Sequence, residues 1–253
     1  MQHITTLNGP PVGAEDSRAA RPAAVRRERL FFGAIAWVSA LTVFAGFMPT
    51  YYFNGVAGTA FVLTPMLYWH GALFTAWMVL LAIQTTLIAT HRVDVHRTLG
   101  IVGVPLAAMM VVLGSIIAIT RTQSGLIADH GAPPLVFLAV PLVGMAVFGV
   151  LVAAAIYFRR QSAIHKRLML LATFELVTAA VSRLPLVENW GPLGFFGVTD
   201  VLVLALVVYD VASLRRIHTA TLWGGIFFVA SQPLRLLIGA SAPWLAFTAW
   251  LTS

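Results

Sequence analysis

The chain has 253 residues, of which 59% are apolar and only 10% charged, with sixteen Lys+Arg against nine Asp+Glu, a formal charge of +7 and no cysteine. A soluble domain runs at about 45–50% apolar and about 25% charged residues, and this chain lacks the polar side chains to cover a water-facing surface. The composition excludes a soluble enzyme, a nucleic-acid-binding domain and a disordered protein. What remains is an all-α, polytopic membrane protein.

Residues 1–29 form a polar, basic tail that is too long and too polar for a signal-peptide n-region. A helix needs about 20 apolar residues to cross the roughly 30 Å hydrocarbon layer. Seven stretches qualify: 30–48, 66–90, 98–119, 135–158, 167–185, 197–214 and 221–240. Residues 30–253 therefore read as a single transmembrane helical bundle. The 240–253 tail is too short for an eighth crossing. It either extends the seventh helix past a kink at Pro243 or lies along the interface with Trp244 and Trp250.

The basic residues give an orientation. Arg18, Arg21, Arg26, Arg27 and Arg29 precede the first stretch, and Arg92 and Arg97 follow the second. Arg159, Arg160, Lys166 and Arg167 follow the fourth, and Arg215 and Arg216 follow the sixth. In a seven-transmembrane-helix bundle all of these share one side. The positive-inside rule makes that side the cytoplasm, with the N-terminus cytoplasmic and the C-terminus outside. The expected location is a bacterial inner (plasma) membrane.

Ionisable groups within a bilayer cost several kcal/mol each and are functional candidates by default. Five fall inside the predicted stretches: Glu175, Arg183, Asp200, Asp210 and Arg235. Counting about 1.5 Å per residue puts Arg183, Asp200 and Arg235 in the outer half, Glu175 nearer the cytoplasm and Asp210 at the cytoplasmic end. One reading is a register-fixing network in which Asp200 neutralises an arginine. The other leaves surplus positive charge on Arg183 and Arg235 for an anion, such as a lipid phosphate, a haem propionate or an acidic substrate.

Histidines form the second signal. His70, Trp77, Gln84 and His91 recur at intervals of seven, one drifting stripe on the second helix that should face the bundle interior. His96 and His165 flank helix starts at the cytoplasmic boundary, with His91 at similar depth. His70 lies near the outer face, within reach of loop residue His130. Two histidine layers are what a transmembrane b-type cytochrome needs, each iron taking two neutral imidazoles. The cytoplasmic layer offers His96 and His165 as a pair. The outer layer offers His70, whose only histidine partner would be His130 on a loop, so one haem is better founded than two. Histidine at a helix end is also an ordinary interfacial or capping residue, and His with carboxylates suits zinc, copper or iron. His3 and His218 read as solvated. The absent cysteines leave no iron–sulfur cluster. The only lysine, Lys166, lies in a connector, which leaves no retinal Schiff base.

Two boxes open helices: His96-Arg97-Thr98-Leu99-Gly100 (HRxLG) and His165-Lys166-Arg167-Leu168-Met169 (H[KR]RxM). With Trp69-His70-Gly71 and Gln84, they resemble a group of bacterial multi-pass membrane proteins of unknown function, over about residues 66–185. The resemblance implies that His70, Gln84, His96, Arg97, His165, Arg167 and Met169 occupy that group's recurring positions. A fainter similarity to di-haem b-type transmembrane cytochromes rests on the histidine layering.

The leading expectation is therefore a haem-b-binding protein passing electrons between a membrane quinol (or quinone) and a partner. His96, His165 and His70 are its candidate metal ligands. His91, Gln84, Arg183 and Arg235 complete its cofactor-binding residues. The alternatives are a non-catalytic accessory or assembly subunit holding lipids or another membrane subunit, and a transporter or small-ligand binding protein using the outer Arg/Asp/His layer.

Overall fold

A computed structural model describes residues 14–56, 61–126 and 132–252, with side chains from Ala23 onward. His3 and His130, and the side chains of Arg18 and Arg21, lie outside the described residues. Among the described residues all regular structure is helical: α1 (Ala14–Phe47), α2 (Pro65–Ala89), α3 (Val93–Gln123), α4 (Pro134–Phe137), α5 (Ala139–Tyr157), α6 (Ser162–Val181), α7 (Gly191–Leu214), α8 (Thr219–Gly239) and α9 (Ala242–Leu251). A wider π turn, Met48–Tyr52, continues α1.

Local chemistry sets several boundaries. Thr64 caps α2 by accepting the Leu67 N–H, and Pro65 opens the helix, where its missing N–H costs nothing. The fourth predicted stretch is broken at Leu138 into α4 and α5. Pro141 has no N–H to give the Phe137 carbonyl, so the ladder lapses there. The C-terminal tail does not extend α8. The chain breaks at Ala240, and Ser241 caps a new helix, α9, by accepting the Trp244 N–H. The Trp244 indole N–H then donates to the Leu135 carbonyl (2.9 Å), docking α9 on α4.

Among the described residues, six helical segments are long and apolar enough to cross a membrane: Ala23–Tyr52, Pro65–Ala89, Val93–Gln123, Pro134–Tyr157, Glu188–Leu214 and Thr219–Gly239. The chain is thus a multi-pass helical membrane protein in its length and composition. The remaining long helix, α6, carries Lys166, Arg167 and Glu175 and is more polar, yet it is the most deeply buried element in the fold. Its neighbours are α1, α5, α7 and α8. Surrounded by protein on all sides, α6 does not need an apolar surface for lipid.

The packing closes a ring: α1 on α2, α2 on α3, α3 on α5, α5 on α6, and α6 back on α1. Helices α7 and α8 pack outside it, against α6 and α5. The α1–α6 seam is tight because Gly46 lies against the Ala180 backbone, where a Cβ would come 2.3 Å from the carbonyl oxygen. In the middle of the ring, Trp77 from α2 is 2% exposed. Its indole N–H donates to Thr173 Oγ1 on α6 (3.3 Å), and its ring meets Phe148 on α5 edge-on at 5.1 Å. This aromatic plug separates two polar ends.

Candidate cofactor site

One end gathers the basic connectors. Glu28 pairs with Lys166, Arg29 meets His91, and His165 lies beside α5. At this end His96, in the first turn of α3, and His165, in the first turn of α6, converge from opposite sides of the ring. Their ring centres are 6.4 Å apart and their planes are nearly perpendicular, at 82°. Helix α3 packs on α2 and α5 whereas α6 packs on α1, α5, α7 and α8, so the two histidines meet at the mouth between them.

Each ring is held differently. His165 Nδ1 lies 2.8 Å from the Ala155 carbonyl oxygen of α5. A carbonyl only accepts, so Nδ1 carries a proton, and in the neutral ring Nε2 holds the lone pair. This is the arrangement that orients a metal-ligating histidine. His96 Nδ1 is buried without a partner, and so is Gln84 Oε1 on the adjoining α2. Gly100 gives the Gln84 amide its room, since a Cβ there would sit 3.4 Å from Nε2. Buried polar atoms without partners are rare in native proteins and invite a specific explanation. The described residues hold no group of three or more His, Asp or Glu side chains placed to bind a metal ion. The donor set here is the imidazole pair alone.

The stripe of seven keeps its register only in part. His70, Trp77 and Gln84 are on α2 and each contributes a buried or partly buried polar atom to the ring. His91 is not on the stripe. Helix α2 ends at Ala89, and His91 occupies the turn with φ +64°, exposed and beside Arg29. The helical period no longer applies beyond the helix.

The five intramembrane charges also pair differently from the expected layering. Arg235, 1% exposed, grips Glu175 with both arms (Nη1–Oε1 2.7 Å, Nη2–Oε2 3.2 Å) and also donates to Ser231 Oγ at 2.7 Å. Asp200 neutralises neither Arg183 nor Arg235; its carboxylate accepts from the Gln232 amide at 2.7 Å. Linear counting put Glu175 and Arg235 at different depths. The side chain of Arg235 leans toward the N-terminus of α8, as helical side chains do, and so reaches Glu175. Gly144 on α5 makes the pair possible: a Cβ there would lie 2.7 Å from Glu175 Oε1.

Asp210, fully buried, is clasped by Arg167 through Nε (3.1 Å) and Nη2. It also accepts from Thr221 Oγ1 and from the His218 backbone N–H (3.1 Å). His218 is therefore not a solvated residue. It is half-buried, and its Nδ1 caps α8 by accepting the Ala220 N–H at 3.1 Å. Thr221, Gln232, Ser231 and Gly144 were not singled out in the sequence, because short polar residues and glycines are common in transmembrane helices. Arg183 has no carboxylate among the described residues. It stacks 4.6 Å over the Phe47 ring and donates to the Ala179 carbonyl.

Compared with protein-family models, with curated proteins and with solved structures, the chain matches none.

Proposed function

We propose that this chain is a bacterial inner-membrane protein of seven crossings that holds haem b between His96 and His165 and serves membrane electron transfer with a quinone or quinol as partner. One observation carries the reading: two imidazoles from separate helices stand 6.4 Å apart at the ring mouth, one with its Nδ1 already engaged by a backbone carbonyl. His96 and His165 would be the residues that hold the metal. Neutral imidazoles without a carboxylate partner suit a haem iron, whose porphyrin already supplies the anionic ligands. Bound there, haem b would supply one-electron chemistry. The chain's own residues orient it: Ala155 fixes the tautomer of His165, and the orphaned Gln84 Oε1 offers an acceptor beside the pair.

The seven-crossing reading draws support from α6. His165 and Arg167 at its start belong with the basic connectors, while Arg183 just beyond its end sits against Phe47 at the far end of α1. With α6 as a crossing, the basic connectors all face the cytoplasm.

The test is the absorbance spectrum of detergent-purified protein from haem-competent cells, air-oxidised and then dithionite-reduced. The expected result is a Soret band with sharp reduced α and β bands, lost in His96→Ala and in His165→Ala. A featureless spectrum, or bands unchanged in both variants, overturns the assignment.

A further inference from the structure

A groove of about 560 Å³ runs between α1 and α2. Trp37 and Leu41 on α1 and Ile83 and Leu87 on α2 form its walls, and the small side chain of Ala82 leaves room between them. Trp37, Leu41 and Ile83 are exposed, and both helices belong to segments able to cross a membrane, so the groove opens toward lipid. Two contacts tie the helices together along it. At one end Tyr52 Oη and Thr75 Oγ1 are 2.8 Å apart, and beyond the other Arg29 Nη1 lies 2.5 Å from His91 Nε2. From Thr75 to Leu87 the groove runs about 18 Å along α2, at about 1.5 Å per residue. That is a little more than one leaflet of the roughly 30 Å hydrocarbon layer.

Both walls lead to the Arg29–His91 pair. On α1, Arg29, Gly33, Trp37 and Leu41 follow one another at intervals of four, on one face of the helix. Gly33 keeps the way open, since a Cβ built there meets nothing within 4 Å. On α2, Ile83 and Leu87 lead at the same interval to His91, in the turn just past the helix end. The Arg92 N–H holds that turn on the Leu87 carbonyl at 2.8 Å. A guanidinium only donates, so His91 Nε2 accepts from Arg29 and the neutral ring carries its proton on Nδ1. The mouth of the groove therefore offers N–H donors and the Arg29 charge. Of the carboxylates at this end, Glu28 pairs with Lys166, and Asp94 belongs to the first turn of α3, which packs on α2 and α5.

We propose that this groove binds an anionic phospholipid, with an acyl chain between α1 and α2 and the phosphate at Arg29 and His91. The apolar walls and leaflet-length run suit a hydrocarbon chain, and a guanidinium fork matches phosphate oxygens in a bidentate fashion. A zwitterionic lipid brings its own cation to the headgroup and gains less from the Arg29 charge. A lipid-facing helix surface ordinarily has apolar area without a cation, and a basic connector has a cation without a groove. Here the two are continuous along one pair of helices. The site is separate from the His96–His165 pair and rests only on α1 and α2 crossing the membrane.

The experiment is native mass spectrometry of the full chain released from neutral detergent. The chain is titrated with phosphatidylglycerol and with phosphatidylcholine of the same acyl chains. The expected result is a saturable one-lipid adduct, with phosphatidylglycerol bound about fivefold more tightly, the effect of one cation near a membrane surface. Arg29→Gln should bring the two lipids to equal affinity. Arg160→Gln, an equal change of charge in the connector between α5 and α6, should keep the preference. Gly33→Leu, whose Cβ meets no protein atom within 4 Å, should weaken the binding of both lipids by filling the mouth. Glycerol 1-phosphate, a headgroup without chains, should displace neither at equal concentration. If Arg29→Gln is not recovered folded, His91→Ala and Gly33→Leu carry the comparison. Equal affinity for the two lipids in the parent chain overturns the proposal. So does a preference kept in Arg29→Gln or lost equally in Arg160→Gln, binding untouched by Gly33→Leu, or displacement by glycerol 1-phosphate.

Discussion

The α6–α7–α8 side of the molecule and the α1–α2–α3–α5 side treat buried polarity in opposite ways. On the first, Glu175 has Arg235 and Ser231, Asp210 has Arg167, Thr221 and the His218 N–H, and Asp200 has Gln232. On the second lie all the unpartnered buried side-chain atoms found among the described residues: Ser39 Oγ, His70 Nδ1, Gln84 Oε1 and His96 Nδ1. A satisfied ion pair locks helices together and has no valence left for a ligand. An orphaned donor or acceptor costs stability in the folded chain and is recovered only when something binds. The contrast puts the saturated ion pairs on one side and the unpartnered buried atoms on the other.

The sharpest way to break this contrast is to remove half of a satisfied pair. Glu175→Ala leaves the Arg235 charge buried and unpaired, and a loss of about 3–5 kcal/mol is expected. Thermal unfolding in detergent would show it, and the double variant Glu175→Ala/Arg235→Met should recover much of the loss. A single variant as stable as the parent would show that the pair is not holding α6 to α8.

A smaller effect is expected at Gly144. A Cβ would meet Glu175 Oε1 at 2.7 Å, so Gly144→Ala should cost about 1–3 kcal/mol by displacing the carboxylate from Arg235. In the Glu175→Ala background the same change should cost much less. Equal costs in both backgrounds would place the clash elsewhere.

His218 supplies a pH test. Burial first, and then the charge of Arg167, hold its pKa below the ordinary 6.5. Only the neutral ring can accept the Ala220 N–H, so the cap's contribution is present above about pH 6.5 and is lost as pH falls toward the depressed folded value. Helix caps contribute about 0.5–2 kcal/mol. His218→Asn, which caps without titrating, should flatten the stability profile between pH 7 and pH 5; an unchanged slope would point to another group.

On the orphan side the expected stability change is near zero. Gln84→Met removes the unpartnered Gln84 Oε1, and His96→Leu removes the unpartnered Nδ1 together with the ring's contact with the Gln84 backbone; replacing unsatisfied polar atoms is close to neutral when no ligand is present. The same variants should weaken or abolish cofactor absorbance. A large loss of stability in either variant would mean that these side chains serve packing.

Much of this was legible in the chain itself. Apolar content, the runs of about 20 residues and the clustering of arginines in alternate connectors dictated a multi-pass helical protein, because the bilayer imposes length and polarity on each crossing. The spacing of His70, Trp77 and Gln84 announced one interior face, because a helix turns at a fixed period. The period failed at His91, where the helix had ended two residues before.

The partners of the buried charges needed the tertiary structure. Depth counted along single helices cannot say which helices are neighbours, nor how far an arginine side chain leans along its own helix, so Arg235 reached Glu175 and Asp200 turned to Gln232. Nor does hydropathy reveal that α6 is sheathed by protein, which is why its charges are tolerated there. The convergence of His96 on His165 arises because α3 and α6 both pack on α5. The sequence determined which residues are costly to bury; the packing decided which of them are already compensated.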